Sequence, residues 1–202
     1  MTAHVVLSPT PGQVPSVPAV QRVAAQRRGA RAALAEACRL AGVELGPLDT
    51  DSRDAPVPFD GVHWSLTHTR TWVAAGLDRT GPLGVDVEAL RLPRGPRETA
   101  LDDGERALFA GAPLELAFAR CWTAKEAVLK LVGVGLLELE RCRLVDVLPG
   151  GRCLIEHRGL TRAVQQHALP GHVLAVCAAG AIEWHGLPAE AHACATKSEA
   201  HA

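Results

Sequence analysis

Apolar positions fall at helical spacing in two long stretches of the chain. From Val20 to Leu40, Val20, Val23, Ala24, Ala30, Leu34, Ala37 and Cys38 recur every three or four residues, with Arg27 and Arg31 among them. Gly42 is a natural stop. From Leu114 to Val132 the pattern is apolar almost all round. Phe118, Trp122 and Leu129 share one side, and Cys121, Ala124, Val128 and Leu131 cover much of the other, which predicts a largely buried helix. A shorter helical stretch covers 100–110. Short runs with strand-like composition lie at 4–7, 62–68, 71–78, 83–90, 141–148, 152–158 and 172–179. Segment 46–61, "GPLDTDSRDAPVPFDG", is loop by its Pro, Gly, Asp and Ser content, and "RLPRGPRE" at 91–98 is a basic linker.

The order of elements repeats on either side of that linker: a helix, then three strands. This predicts an α+β fold of two similar lobes, each a helix packed on a small three-stranded, mainly antiparallel sheet. The two are related by a pseudo-two-fold, and the ligand site falls in the cleft between them. The first lobe is expected at 1–95 and the second at 96–186. The remainder, 187–202, has little to bury and reads as a disordered tail.

Composition narrows the functional classes. The chain has 202 residues, 48% of them hydrophobic, and a formal charge of −1. That near-neutral balance argues against nucleic acid as a bulk electrostatic partner. No stretch approaches the roughly 20 apolar residues that span a bilayer, so no membrane association is expected. The first twenty residues lack the basic start and apolar run of a secretory leader, and a cytoplasmic location is expected. Six cysteines occur without a C-x-x-C pair and read as reduced thiols, with Cys142, Cys153 and Cys177 as small core residues.

Three segments carry candidate chemistry. Positive charge in this chain is mostly arginine; of only three lysines, Lys125 and Lys130 flank Glu126 on the apolar helix. Glu126 and Lys130 are i,i+4 neighbours, which fits either a solvated ion pair or a charged stripe facing a ligand. "GVDVE", Gly84 to Glu88, puts Asp86 and Glu88 on one strand face, their Cα atoms about 6.6 Å apart. It is either the wet face of an amphipathic strand or part of a hard-cation site. "WSLTHTR", Trp64 to Arg70, ends in hydroxyls and an imidazole at Thr67 and His68, groups suited to phosphate oxygens or to local satisfaction of the strand end.

In this order, "WSLTHT", "GVDVE" and "FARCWTAKEAVLKLVGVGL" resemble the motif blocks of the 4'-phosphopantetheinyl transferase superfamily. The resemblance covers about residues 62–136, and the length is similar to the larger, two-lobed branch, which works as a monomer. It implies transfer of the 4'-phosphopantetheine arm of coenzyme A to a serine of an apo acyl or peptidyl carrier protein, with release of 3',5'-ADP. Such activity serves fatty-acid, polyketide or nonribosomal peptide synthesis. By the same resemblance, Asp86, Glu88 and Glu126 ligate Mg2+ or Mn2+, and Glu126 or a bound water takes the serine proton. Lys130 neutralises phosphate charge, Lys125 is a further phosphate contact, and Thr67 and His68 hold coenzyme A phosphates. The arginines of "QRRGARAAL", Arg27 and Arg31, resemble the basic helix that meets the adenosine 3'-phosphate. The family's basic residue before a proline is replaced here by Asp54 and Ala55 before Pro56, with Arg53 nearby as a substitute. A Mg2+-dependent hydrolase of phosphate esters and a non-catalytic carrier- or nucleotide-binding scaffold are the competing classes.

Overall fold

Strand β1 (Thr2–Pro9) is buried on both faces at Val5, Val6 and Leu7, and its period of two sends them to different cores. In the computed structural model, which describes residues 2–11, 18–92 and 100–194, Ala3, Val5 and Leu7 point into a core between two sheets. Val6 points the other way, against helix α1 (Ala19–Leu40). Alongside β1 run β3 (Trp72–Asp78), antiparallel, and β9 (Ala181–His185), parallel. With β2 (His63–His68) they form a four-stranded sheet in the order β2-β3-β1-β9. The buried face of α1 is made of small residues, Gly29, Ala30, Ala33 and Ala37, with Leu34 and Cys38. Small side chains let the helix lie close on Val6, Val73 and Leu77. Val20 and Val23, which the spacing placed on the apolar face, are exposed at the start of the helix.

The second sheet follows the order β4-β8-β7-β6-β5, formed by β4 (Leu83–Ala89), β5 (Cys142–Leu148), β6 (Arg152–His157), β7 (Leu160–Leu169) and β8 (His172–Ala178). Leu174 and Val176 of β8 face the first sheet, and Ala175 and Cys177 face helix α3 (Leu114–Val132). The layers therefore run helix, sheet, sheet, helix, and each strand's period of two divides its side chains between two cores. Short helix α2 (Asp103–Leu108) opens with a capping box between Asp102 and Glu105. Helix α3 ends on Gly133, whose φ of 74° supplies the left-handed cap that glycine adopts without strain.

Helix α3 occupies the residues its pattern predicted, and strands β2, β3 and β4 agree within a residue or two. The lobes do not divide as expected. Two sheets of four and six strands replace the two of three, and they exchange strands: β4, assigned to the first lobe, pairs with β8, while β9 returns to β1. Strand β7 had no strand-like signal because Thr161, Arg162, Gln165 and Gln166 interrupt its apolar pattern. It forms because Arg158 and Gly159, both with positive φ, make the tight turn that folds it back on β6.

The expected tail begins later than residue 187. β10 (His192–Ala193) pairs with β7 at Ala168 and His167, beyond the point where β6 has ended. Leu187 and Ala191 pack on the inter-sheet core, and Cys194 is buried. An uncovered edge on β7 draws in this sparsely apolar segment, which is why composition missed it. Residues 195–202 and most of the 91–98 linker lie outside the described residues.

Candidate active site

Strand β4 separates its residues cleanly. Val85 and Val87 enter the inter-sheet core, and Gly84 and Asp86 lie toward α3. The approach is very close: a Cβ on Gly84 would sit 1.8 Å from the carbonyl oxygen of Ala127. Only glycine permits this contact, and it brings Asp86 within reach of the next turn of α3.

There Lys130 Nζ donates to Asp86 Oδ1 at 2.6 Å and to the Val85 carbonyl at 3.0 Å. Asp86 is 6% exposed, so its charge is screened poorly by water. Its other oxygen, Oδ2, is buried and has no hydrogen-bond partner. Glu126, half-buried one turn before Lys130, and Glu88 also act on that ammonium electrostatically. Burial pulls the Lys130 pKa down, but attraction to Asp86 and Glu126, the hydrogen bond to Asp86 and the field of Glu88 outweigh it and hold the pKa above its usual value. Lys130 therefore stays an ammonium and cannot serve as a base.

Strand β2 lies against β4 although the two belong to different sheets. Val85 N–H donates to Ser65 Oγ at 3.0 Å, Val87 N–H to Thr67 Oγ1 at 3.4 Å, and Thr67 Oγ1 donates to Asp86 Oδ1 at 3.0 Å. The two hydroxyls satisfy the free backbone edge of β4 as a neighbouring strand would. This corrects the expected role of Thr67: it is buried and fixes Asp86 instead of standing open to a phosphate. Ser65 was not singled out because a lone serine in a strand carries no signal until its neighbour's edge is known.

Lys125 is also corrected. It is buried, and its Nζ lies 2.7 Å from Glu105 Oε1, 2.8 Å from Glu105 Oε2 and 2.8 Å from the Ala100 carbonyl. The same carboxylate accepts from Leu144 N–H at 2.8 Å and closes the α2 capping box. Lys125 faces away from Lys130 and ties α3 to α2 and β5, so no phosphate reaches it.

Beyond Lys130 opens a cavity of about 450 Å3. Arg27 and Arg31 line it from α1, Trp64 and His68 from β2, and Pro56 from the preceding loop. The structure thus gathers four of the five basic residues expected at an anion, three of them from the first sheet's side and Lys130 from α3, without Lys125. Burial lowers the His68 pKa, and the positive charges of Lys130 and Arg27 lower it further. The Lys130 and Arg27 part of that shift reflects clustered positive charge beside a side chain that is itself exposed, and such a cluster favours a polyanion. Asp54 lines the same cavity, and Arg53 lines a smaller one of about 200 Å3 on the other side of Pro56, paired with Asp51 at 3.3 Å.

A divalent cation fits the donor set. Three carboxylates against Lys130 and Arg91 leave an excess of negative charge, and the buried, unpartnered Asp86 Oδ2 is an oxygen in want of a ligand. In the structure as it stands, Asp86, Glu88 and Glu126 do not bring one oxygen each within 4.8 Å of one another. Glu88 instead accepts from exposed Arg91 at 3.2 Å.

With this geometry in view, the comparison with known families is direct. A family model of the 4'-phosphopantetheinyl transferase superfamily matches residues 82–177. Across this span, just under half of the chain, it is similar to the 4'-phosphopantetheinyl transferase superfamily. The matched span starts just before β4 and ends within β8, so it contains Asp86, Glu88, Glu126 and Lys130 but neither the α1 arginines nor His68. No curated protein matches the chain.

Proposed function

We propose that this transferase moves 4'-phosphopantetheine from coenzyme A to a serine of an apo carrier protein. The observation that supports it most is the Asp86–Lys130 contact across β4 and α3, opening on a cavity lined by Arg27, Arg31 and His68. A cavity of this size accommodates a nucleotide, and its mixed lining suits the 3',5'-ADP portion of coenzyme A: Trp64 for the base, the arginines and His68 for phosphates.

The reaction is phosphoryl transfer, in which positioning and charge neutralisation supply most of the catalysis. The serine oxygen forms a bond to the phosphorus that carries pantetheine, and the bond from that phosphorus to the bridging oxygen breaks. Electrons of the broken bond stay with 3',5'-ADP. Glu126 takes the serine proton, since Lys130 is held as an ammonium and the buried Asp86 is engaged by Lys130 and Thr67. Lys130 is placed to offset charge on the departing diphosphate oxygens. Asp86 and Glu126 would hold Mg2+ or Mn2+, with Glu88 released from Arg91 as a third oxygen donor. When bound, the ion supplies Lewis-acid polarisation of the pyrophosphate. We further read the chain as a cytoplasmic monomer, with both sheets of the site in one polypeptide.

Mass spectrometry of a panel of apo carrier proteins incubated with the enzyme, coenzyme A and Mg2+ tests this. The expected result is a gain of one phosphopantetheine on at least one carrier. Release of 4'-phosphopantetheine and 3',5'-ADP from coenzyme A without any carrier would point to a hydrolase, and no change in either would leave a binding scaffold.

A further inference from the structure

A second cluster lies at the β9 edge of the first sheet, opposite the β2 edge that borders the site. Strands β1 and β9 run parallel, with His4 opposite Glu183 and His185 two residues on. That register puts all three side chains on the face toward α1. The imidazoles of His4 and His185 stack at 5.6 Å and 9°. His4 Nδ1 and His185 Nε2 are 3.4 Å apart; Glu183 Oε2 lies 3.7 Å from the first and Glu183 Oε1 3.7 Å from the second.

These distances are long for hydrogen bonds, so the three groups converge without satisfying one another. They match the edges of a coordination polyhedron better. A tetrahedral zinc ion held at about 2.0–2.1 Å sets neighbouring ligand atoms about 3.3–3.4 Å apart. The His4 and His185 side chains are 17% and 22% exposed and Glu183 55%, which leaves the cluster open to solvent for a fourth ligand. Glu36, on α1 within electrostatic reach of His185, adds negative potential, although Arg39 pairs with it at 2.6 Å.

We propose that His4, Glu183 and His185 form a binding site for Zn2+ that clasps the first strand of the chain to β9. Two imidazoles and one carboxylate select zinc over magnesium, so this ion is distinct in kind from the hard cation that suits Asp86 and Glu126. Binding to the folded state alone stabilises it by mass action, and here it fastens β9 at the edge of the sheet.

The test uses the full chain, freed of any affinity tag, with millimolar Mg2+ present throughout. Zn2+ is titrated by calorimetry, Co2+ by its visible absorption, and melting is followed at each step. The expected result is one saturable equivalent, with tetrahedral Co2+ bands and a Tm raised by about 5 °C or more at a free Zn2+ concentration about 100 times Kd. His185→Gln and the exposed Glu183→Gln each weaken binding at least tenfold, and Asp86→Asn does not. Absence of saturable Zn2+ binding under Mg2+ overturns the proposal, as does wild-type affinity in Glu183→Gln, the variant least able to disturb the fold.

Discussion

Thr67 and Lys130 both reach Asp86 Oδ1, at 3.0 and 2.6 Å, and leave Oδ2 without a partner. One oxygen is thus fixed by the protein and the other is free for a ligand. Lys130→Ala should lower the rate of carrier modification by at least ~100-fold, the loss typical of a single electrostatic stabiliser. Single-turnover transfer measures it, and a near-normal rate would reduce the contact to a structural ion pair. His68 makes a pH prediction. Its folded-state pKa lies below the ordinary 6.5, so the unfolded chain takes up the proton first, and stability falls as the pH drops below 6.5. An imidazole NMR titration of the free protein should show the depressed midpoint, and addition of 3',5'-ADP should move it upward. Composition and spacing had already marked Asp86, Glu126, Lys130 and His68. They could not separate Lys125 from Lys130, since both flank the same glutamate; burial by Glu105 decides between them.

Helix α3 and strand β4 meet with no side chain between them at Gly84. Gly84→Ala would place a methyl group 1.8 Å from the Ala127 carbonyl, so helix and strand must part. We expect a loss of about 2 kcal/mol or more in denaturant unfolding. The same change should cut activity in the fraction that remains folded, because the gap between Asp86 and Glu126 widens. Unaltered stability would show that the two elements slide apart freely. Both elements were legible from the chain: Leu114–Val132 by its unbroken apolar wheel, Leu83–Ala89 by strict alternation. Their contact was not, because a glycine between a leucine and a valine looks the same whether it faces a helix or water. Strand β7 was illegible for a related reason. Its Gln166, which breaks the apolar pattern, is buried against Arg120 of α3, where the guanidinium donates to Oε1 at 3.0 Å.

At the scale of the molecule, four stacked layers bury all six cysteines as free thiols. Burial raises the pKa of Cys142 and Cys153 to about 11 and of Cys177 to about 12, and holds Cys38, Cys121 and Cys194 up as well. An aromatic disulfide reagent at pH 8 should therefore titrate almost no thiol in the native protein and six after denaturation. Rapid reaction of one or more native thiols would mean that the layers open on that timescale.

Strand β9 is the outer neighbour of β1, yet strands β2 to β8 lie between them along the chain. One backbone edge of β1 therefore stays open until β9 has been translated. Loop-closure entropy makes such a pairing slow, so the nascent chain carries an adhesive edge until β9 folds back to cover it.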